Sequence, residues 1–535
     1  MKKTSTKWLL RLLTLALAVL VAAGCSGGNT GGSKAANAGD NSGNAGADAS
    51  APPAGAAEEE PIEISWLSFN FPPEDGTFVQ QYLEETFNVR ITNVRIDRTN
   101  WKDQLNVRLA SGELPDLWLL WGIADVSTYA SQNLLAELPV DEIRAHLPEL
   151  AALIDEKDPG AWNNGLIDGK NYGIPITNLD GAYPLLTVYN EEWLQAVGYD
   201  EPPQTLEQFE DVLYKFRNDD PDGNGKKDTY GITGKAASNI GDSFVSVFNA
   251  FDVQPTYWEE DDTGALVYGM TTDKAREAFK LLNKWFDDGV LDPEFITSDG
   301  KKEEFLNSRV GTTNSSWIYY RPSYRETLKT TDSARYFDAV VGPQFAADGY
   351  TGKAAAWGLT GNYFGMSVDV DETPGKREKI YEILNATYTD EVVMKKVFFG
   401  DEGVHYDLVD GRPVMKEAYA DTTTKVSLGM GAYYGLLAGK SLKFEAINNP
   451  AEDLAWRAEV TAGMPMQFDK GKFYMPSRTS FPDLTNLERE YFIKLITGEV
   501  DLEGGFDEFV ERWNKAGGAQ LTKEANEIYA QLKGA

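Results

Sequence analysis

Nine consecutive residues, Asp220-Pro221-Asp222-Gly223-Asn224-Gly225-Lys226-Lys227-Asp228, carry the sharpest local signal for chemistry in this 535-residue chain. Asp220, Asp222, Asn224 and Asp228 put side-chain oxygens at the places where a calcium loop needs them. Gly225 allows the sharp turn, and Lys226 offers its backbone carbonyl. A hard cation takes about six to eight oxygens at about 2.3–2.6 Å, and alternate residues of a tightly curled loop point theirs inward. The pattern predicts a structural calcium site whose role is to stiffen a loop. The place that normally holds a bidentate glutamate is Gly231, so one or two ligands must come from elsewhere, such as Asp219 or water. The alternative is a glycine-rich turn held by Asx hydrogen bonds without metal.

Catalytic patterns are mostly missing. The two histidines, His146 and His405, are far apart in sequence, which leaves little for histidine-based nucleophilic or zinc chemistry. Beyond the leader and its Gly24-Cys25-Ser26-Gly27-Gly28, no Gly-x-Ser-x-Gly occurs, and His-Glu-x-x-His is absent throughout. Gly435-Leu436-Leu437-Ala438-Gly439-Lys440-Ser441 is one residue short of a P-loop and reads as a helix end and turn. Carboxylate pairs of the kind that hydrolyse glycosides are inevitable by chance among 83 acidic residues. A tethered glycan-cleaving enzyme is therefore the alternative to a non-enzyme, and a peptide or signal receptor is a third option.

The rings are more informative. Trp66, Trp121, Trp317, Tyr319, Tyr320, Trp357 and Tyr363 fall where predicted strands give way to loops, often beside Gly, Ser or Asn. Ligands of open α/β sheets bind at the carboxyl ends of strands. Flat rings flanked by amides and carboxylates suit a sugar, with its apolar C–H face and its rim of hydroxyls. For any single ring, an ordinary core position is the competing reading. The formal charge of −33 argues against nucleic acid, and against a polyanion held by bulk attraction.

The elements that must position these residues begin beyond an unusual N-terminus. Lys2, Lys3, Lys7 and Arg11 precede an apolar run from Leu12 to Ala23, then Gly24 and Cys25, the only cysteine. This reads as a signal peptide over residues 1–24, too short to span a bilayer. Ala22-Ala23-Gly24-Cys25 resembles the lipobox of bacterial lipoproteins, with Ala22 where leucine is usual. That resemblance implies acylation of Cys25 and an extracytoplasmic protein anchored to the cell membrane by lipid. One cysteine excludes disulfides, so the fold must rest on its core. Residues 25–60 hold the lipidation site and a Gly/Ala/Asn/Ser-rich tether, with a reach of about 30–35 Å at roughly 5–6 Å × √n.

Order begins at Ile62-Glu63-Ile64-Ser65-Trp66-Leu67, which alternates in the strand period. A helix around Phe78–Phe87, a strand over Val89–Ile96, a helix capped by Asn100, and the apolar strand Pro115–Trp121 follow, the grammar of a doubly wound lobe. Strands at Ile174–Thr177 and Leu185–Tyr189 start a second pattern. The capping box Thr205-Leu206-Glu207-Gln208 then opens a helix with Leu206, Phe209, Val212, Leu213 and Phe216 on one face. Tyr257–Tyr268 reads as a hairpin, Thr272 as a helix cap, and Pro374 as a helix start.

With these pieces named, the chain resembles the extracellular solute-binding proteins of carbohydrate ABC importers, in the large lipoprotein branch similar to LipO and the alginate-binding proteins. The marks, in order, are Ala110-Ser111-Gly112-Glu113-Leu114-Pro115-Asp116, Val188-Tyr189-Asn190-Glu191-Glu192-Trp193-Leu194, the cation loop with Tyr230-Gly231, Gly289-Val290-Leu291-Asp292-Pro293-Glu294-Phe295, Gly403-Val404-His405-Tyr406 and Gly498-Glu499-Val500-Asp501. The resemblance implies an α/β, two-lobed periplasmic-binding-protein-like fold of type II, each lobe a sheet flanked by helices, with ligand in the cleft between. It implies an N-terminal lobe of residues 61–176 plus about 358–402, and a C-terminal lobe of 177–357 plus about 403–535. Crossings are expected near Ile174–Asn178, Trp357–Met366 and Gly400–Tyr406. The implied partners are a carbohydrate, an oligosaccharide in size, and an ABC permease in the membrane, with the protein acting as a monomer. By position the implied ligand residues are Asn70, Trp121, Asp125, Trp317, Tyr320, Trp357 and Tyr363.

Overall fold

Alternation and apolar runs in the sequence become strands of two main sheets in the computed structural model, which describes residues 60–298, 305, 309–331 and 338–534. Cys25, the signal sequence and the tether lie outside the described residues. The strands are β1 (Ile62–Leu67), β2 (Val89–Val94), β3 (Leu117–Leu120), β4 (Ile174–Thr177), β5 (Leu186–Asn190), β6 (Tyr230–Ile232), β7 (Val310–Ser315), β8 (Ala339–Gly342) and β9 (Thr360–Met366). The first sheet runs β2-β1-β3-β9-β4, and the second β8-β5-β7-β6. β1 is parallel to β2 and β3, whereas β9 lies antiparallel between β3 and β4.

The first lobe therefore departs from a purely parallel winding. Its fourth strand is supplied by chain that returns after the whole second sheet has been made. All four residues of β3 are buried, as expected of a strand covered on both faces. Between strands, helices sit where their caps predict. Thr77 accepts the N–H of Gln80 ahead of Phe78–Phe87, and Thr205 accepts that of Gln208 ahead of Leu206–Asn218. Phe209, Val212, Leu213 and Phe216 are fully buried along one face of the latter helix.

Two large apolar cores follow the two sheets. Trp66, Trp118, Phe364 and Tyr381 belong to the first, and Phe209, Phe248, Trp285 and Phe492 to the second. Burying each such side chain stabilises by about 1.5–3 kcal/mol before chain entropy is set against it. A smaller cluster around Trp317 and Tyr320 backs the second sheet.

The third crossing differs from the expected place. The chain after Gly400 was expected to enter the C-terminal lobe, yet Met430, Tyr433, Tyr434 and Leu437 lie in the first core. The reason is reciprocal pairing with β1. The Trp66 indole donates to the Tyr433 carbonyl (3.0 Å), and the Tyr433 hydroxyl donates to the Trp66 carbonyl (2.5 Å). Phe444 then packs on Phe398 with ring centroids 4.1 Å apart. Only after Asn448 does the chain join the other side, where Leu454 and Trp456 pack around Trp317. Across this junction Arg457 holds Glu445 through two hydrogen bonds (2.5 and 2.9 Å), with its guanidinium over Tyr183 (4.0 Å) and Trp317 (4.6 Å). Among the described residues no helix is long and apolar enough to cross a membrane.

Candidate functional site

The C-terminal end of β3 opens onto an aromatic platform. Trp121, half-buried, lies against Phe69 (centroids 5.9 Å) and edge-on to Trp101 (5.5 Å), while the Arg98 guanidinium sits 5.0 Å over its ring. Asp125, in the first turn of the helix Ile123–Ser131, accepts the Trp121 backbone N–H (3.1 Å) and pairs with Lys102 (3.4 Å). That carboxylate orients the platform while its own charge is compensated. Arg98, Trp101, Trp121 and Asp125 line a concavity of about 470 Å³.

Beside this platform lie two adjoining cavities of about 370 and 440 Å³. Their walls come from both sides of the molecule. Asp158, Asn164, Gly122–Ala124, Gly361 and Tyr363 face the segment Asp469–Thr479, with Lys533 at one rim. Lys472 lines both cavities. Gly358, at φ 83°, leaves it room, because a Cβ there would stand 3.2 Å from the Lys472 ammonium and 3.9 Å from Asp158. Burial holds the Lys472 ammonium below its ordinary value, against the attraction of Asp469 and Asp158. Burial also pushes Asp469 up, against the backbone N–H groups of Trp258 and Gly471 that donate to it (both 2.9 Å). Asp158 is pushed up in the same way, against the Leu359 N–H (3.3 Å) and Lys472.

The structure brings together only some of the residues expected in the cleft. Trp121 and Asp125 share the platform, and Tyr363, itself buried, lines the larger cavity. Trp357 is half-buried, packed against the cluster of Leu185, Val245 and Ala355. Asn70 is an exposed residue at φ 59°. Trp317 and Tyr320 are core residues and line none of these cavities; Trp66, read among the strand-end rings, is fully buried. Arg321 is engaged with buried Asp453 (3.2 Å). Sequence reading missed Arg98, Trp101, Asp158, Asp469 and Lys472. A usable signal was the run Asp469-Lys470-Gly471-Lys472-Phe473-Tyr474, charge interleaved with rings around a glycine.

The cation loop stands apart from these cavities. It follows the helix Leu206–Asn218, and residues 222–228 are exposed. Asp220, at φ 50°, accepts the backbone N–H groups of Asn224 (3.1 Å) and Gly225 (2.9 Å). The Asn224 amide donates to Asp222 (2.7 Å) and Asp228 (3.2 Å). Desolvation and the nearby carboxylates of Asp220 and Asp228 push Asp222 up, the mark of convergent negative charge. In donor chemistry the set fits a hard cation: Asp220, Asp222, Asn224 and Asp228 side chains with the Lys226 carbonyl. In arrangement it is an Asx-bonded turn, and among the described residues no three acidic, histidine or cysteine side chains are grouped to hold a metal. Gly231 lacks a ligand for a packing reason. A Cβ there would come within 2.8 Å of the Leu213 Cβ.

Comparison with known proteins agrees with this architecture. The chain is 26% identical over 490 residues to lipoprotein LipO of Bacillus subtilis (strain 168), covering 86% of this chain and 90% of that protein. It is 22% identical over 557 residues to the polygalacturonan/rhamnogalacturonan-binding protein YtcQ of the same organism, covering 98% and 99%. The fold matches the crystal structure of alginate-binding protein AlgQ2 without calcium ion, with a TM-score of 0.60 at 18% identity over 88% of this chain and 98% of that one. It also matches an EF-hand mutant of the S. pneumoniae ABC-transporter substrate-binding protein FusA in complex with fructo-nystose, with a TM-score of 0.63 at 16% identity over 88% and 99%. The sequence profile described as bacterial extracellular solute-binding protein covers residues 77–361, more than half of the chain, and the protein belongs to that family.

Proposed function

We propose that the protein captures a carbohydrate, an oligosaccharide in size, in the cleft between its lobes and delivers it to an ABC-type permease. The observation that carries this reading is the cleft itself. A ring platform and two cavities totalling several hundred Å³ are walled by residues of both lobes, so a ligand filling them touches both. Such a ligand favours the closed arrangement by its differential contacts, and a permease can read the closed form as loaded. The names of YtcQ, a polygalacturonan/rhamnogalacturonan-binding protein, and FusA, a fructooligosaccharide transporter's substrate-binding protein, support a sugar as cargo.

Around this core we place the remaining roles. Cys25 carries the lipid that anchors the chain at the extracytoplasmic face of the cell membrane, and residues 26–60 tether the monomeric body beside its transporter, raising local solute concentration. The chain turns nothing over. Calcium, held by Asp220, Asp222, Asn224, Asp228 and the Lys226 carbonyl, would neutralise the converging carboxylates and stiffen the loop. Thermal-shift screening against a panel of oligosaccharides, with and without EDTA, tests the reading. A bound sugar raises Tm because it binds only the folded state. Failure of every oligosaccharide to do so, or unchanged uptake after deletion of the permease, would overturn it.

A further inference from the structure

The sequence holds two Asn-Gly pairs, Asn164-Gly165 and Asn224-Gly225. In such a pair the glycine nitrogen can attack the asparagine side chain, because no Cβ shields it and its backbone turns freely. The fold treats the two pairs in opposite ways. Asn164 ends the short helix Ala161–Asn164 in the cleft wall. Gly165 behind it is walled in, since a Cβ there would stand 2.7 Å from Asn171 Oδ1 and 3.2 Å from the Tyr363 ring. Ring closure needs a backbone rotation that such close packing opposes.

Asn224 has the opposite surroundings. It is exposed between Gly223 and Gly225, at φ 65° and 75°, and a Cβ on either glycine would meet nothing within 4 Å. Two hydrogen bonds hold the reacting groups. The Gly225 N–H donates to the Asp220 carboxylate (2.9 Å), which draws the proton from the nitrogen that attacks. Asn224 Oδ1, where negative charge develops as that nitrogen adds, accepts the Lys226 N–H (2.8 Å). The nitrogen that departs lies against Asp222 (2.7 Å) and Asp228 (3.2 Å).

We propose that Asn224 is a self-modification site, deamidating in the folded chain while Asn164 is protected. The Gly225 nitrogen bonds to Asn224 Cγ, the Cγ–Nδ2 bond breaks, and the proton from the Gly225 nitrogen leaves with Nδ2 as ammonia. Water then opens the cyclic imide, at Cγ to give aspartate or at the Asn224 backbone carbonyl carbon to give isoaspartate. The sum is amide plus water to carboxylate plus ammonium, with no redox change. The product alters the loop, because a new carboxylate replaces the amide that bridges Asp222 and Asp228. Two donated hydrogen bonds give way to repulsion between like charges.

Peptide mapping by mass spectrometry in heavy-oxygen water tests this on the full chain in EDTA, either folded or unfolded in guanidinium. Unfolded, the two asparagines should convert within about threefold of each other, since local sequence then sets the rate. Folded, Asn224 should convert about tenfold faster than Asn164. Asn224→Gln should remove the conversion, because its ring would be one atom larger. Asp220→Asn should slow it about fivefold by weakening the acceptor on the attacking nitrogen, with Tm measured for both variants to confirm folding. Asn224→Asp, which carries one product, should speed trypsin cleavage after Lys226 or Lys227 about threefold by loosening the loop. Suppression of Asn224 on folding to the level of Asn164 overturns the inference. So does a rate that Asp220→Asn leaves unchanged. Unaltered trypsin cleavage of Asn224→Asp overturns the loosening of the loop. None of these outcomes bears on sugar capture, since the loop lines none of the cleft cavities.

Discussion

The cation loop and the cleft are built from opposite kinds of information. The loop is nine consecutive residues whose side chains bond within the loop itself, Asp220 accepting from Asn224 and Gly225 and Asn224 donating to Asp222 and Asp228, with Arg217 of the preceding helix donating to the Lys227 carbonyl (2.9 Å). The cleft draws Trp121, Asp158, Tyr363 and Lys472 from segments about 350 residues apart at the extremes. A local loop stays recognisable as a motif and is buffered from the rest of the fold. A dispersed cleft exists only while both lobes and their junction hold.

Four measurements would break or sharpen that contrast, the largest effect first. Arg457→Met should destabilise the folded chain by about 3–5 kcal/mol, because it leaves Glu445 buried and unpaired at the junction of the lobes. Urea unfolding reads this directly. Preserved response to EDTA in the same variant would show that the loop is independent of the junction.

Trp121→Ala should weaken sugar binding by about 2 kcal/mol, roughly thirtyfold, while unliganded Tm moves little, because the ring is only half-buried. Calorimetry gives the affinity. A loss of less than threefold would remove the platform from the site.

Asp222→Ala should abolish a calcium-dependent rise in Tm, worth about 1.4 kcal/mol in the native loop at a tenfold excess over Kd. Sugar affinity should stay within about threefold, since the loop lines none of the cleft cavities. A large loss of affinity would refute the separation of the two regions.

The smallest effect is in pH. Burial holds the Lys472 ammonium below its ordinary 10.5, so its charge is lost as pH rises through that lowered value, before an exposed lysine would lose its own. For folding, a base with a depressed value adds stability above its unfolded pKa and loses it as pH falls through the folded one. For a ligand held by the Lys472 ammonium, affinity should decline on the alkaline side. Lys472→Arg should flatten that decline, because guanidinium stays charged. Calorimetry at stepped pH checks both slopes.

Much of the fold was legible in advance because its signals are local. Thr205 and Thr272 cap helices as their spacing predicts, β3 is apolar throughout because both its faces are covered, and the Tyr257–Tyr268 segment forms its hairpin. The site was less legible. Strand-end position gave the same weight to Trp121 and Tyr363, which line cavities, and to Trp317 and Tyr320, which pack inward. A ring at a strand end has two directions available, and only the neighbouring helices decide between them. The third crossing was misplaced because nothing local marks the pairing of Tyr433 with Trp66, 367 residues away.

The sequence alone determined the local things: an apolar leader before Cys25, strands and capped helices, and a tight loop rich in side-chain oxygens. These depend on contacts within a few residues, so the order of side chains is sufficient. Tertiary structure alone decided which rings line a cavity and which are buried in the core, and why Gly231 must stay a glycine against Leu213. Those outcomes depend on what distant segments bring alongside. Lys472 looks in sequence like any lysine in an acidic protein, and only the folded chain sets it in the wall shared by two adjoining cavities.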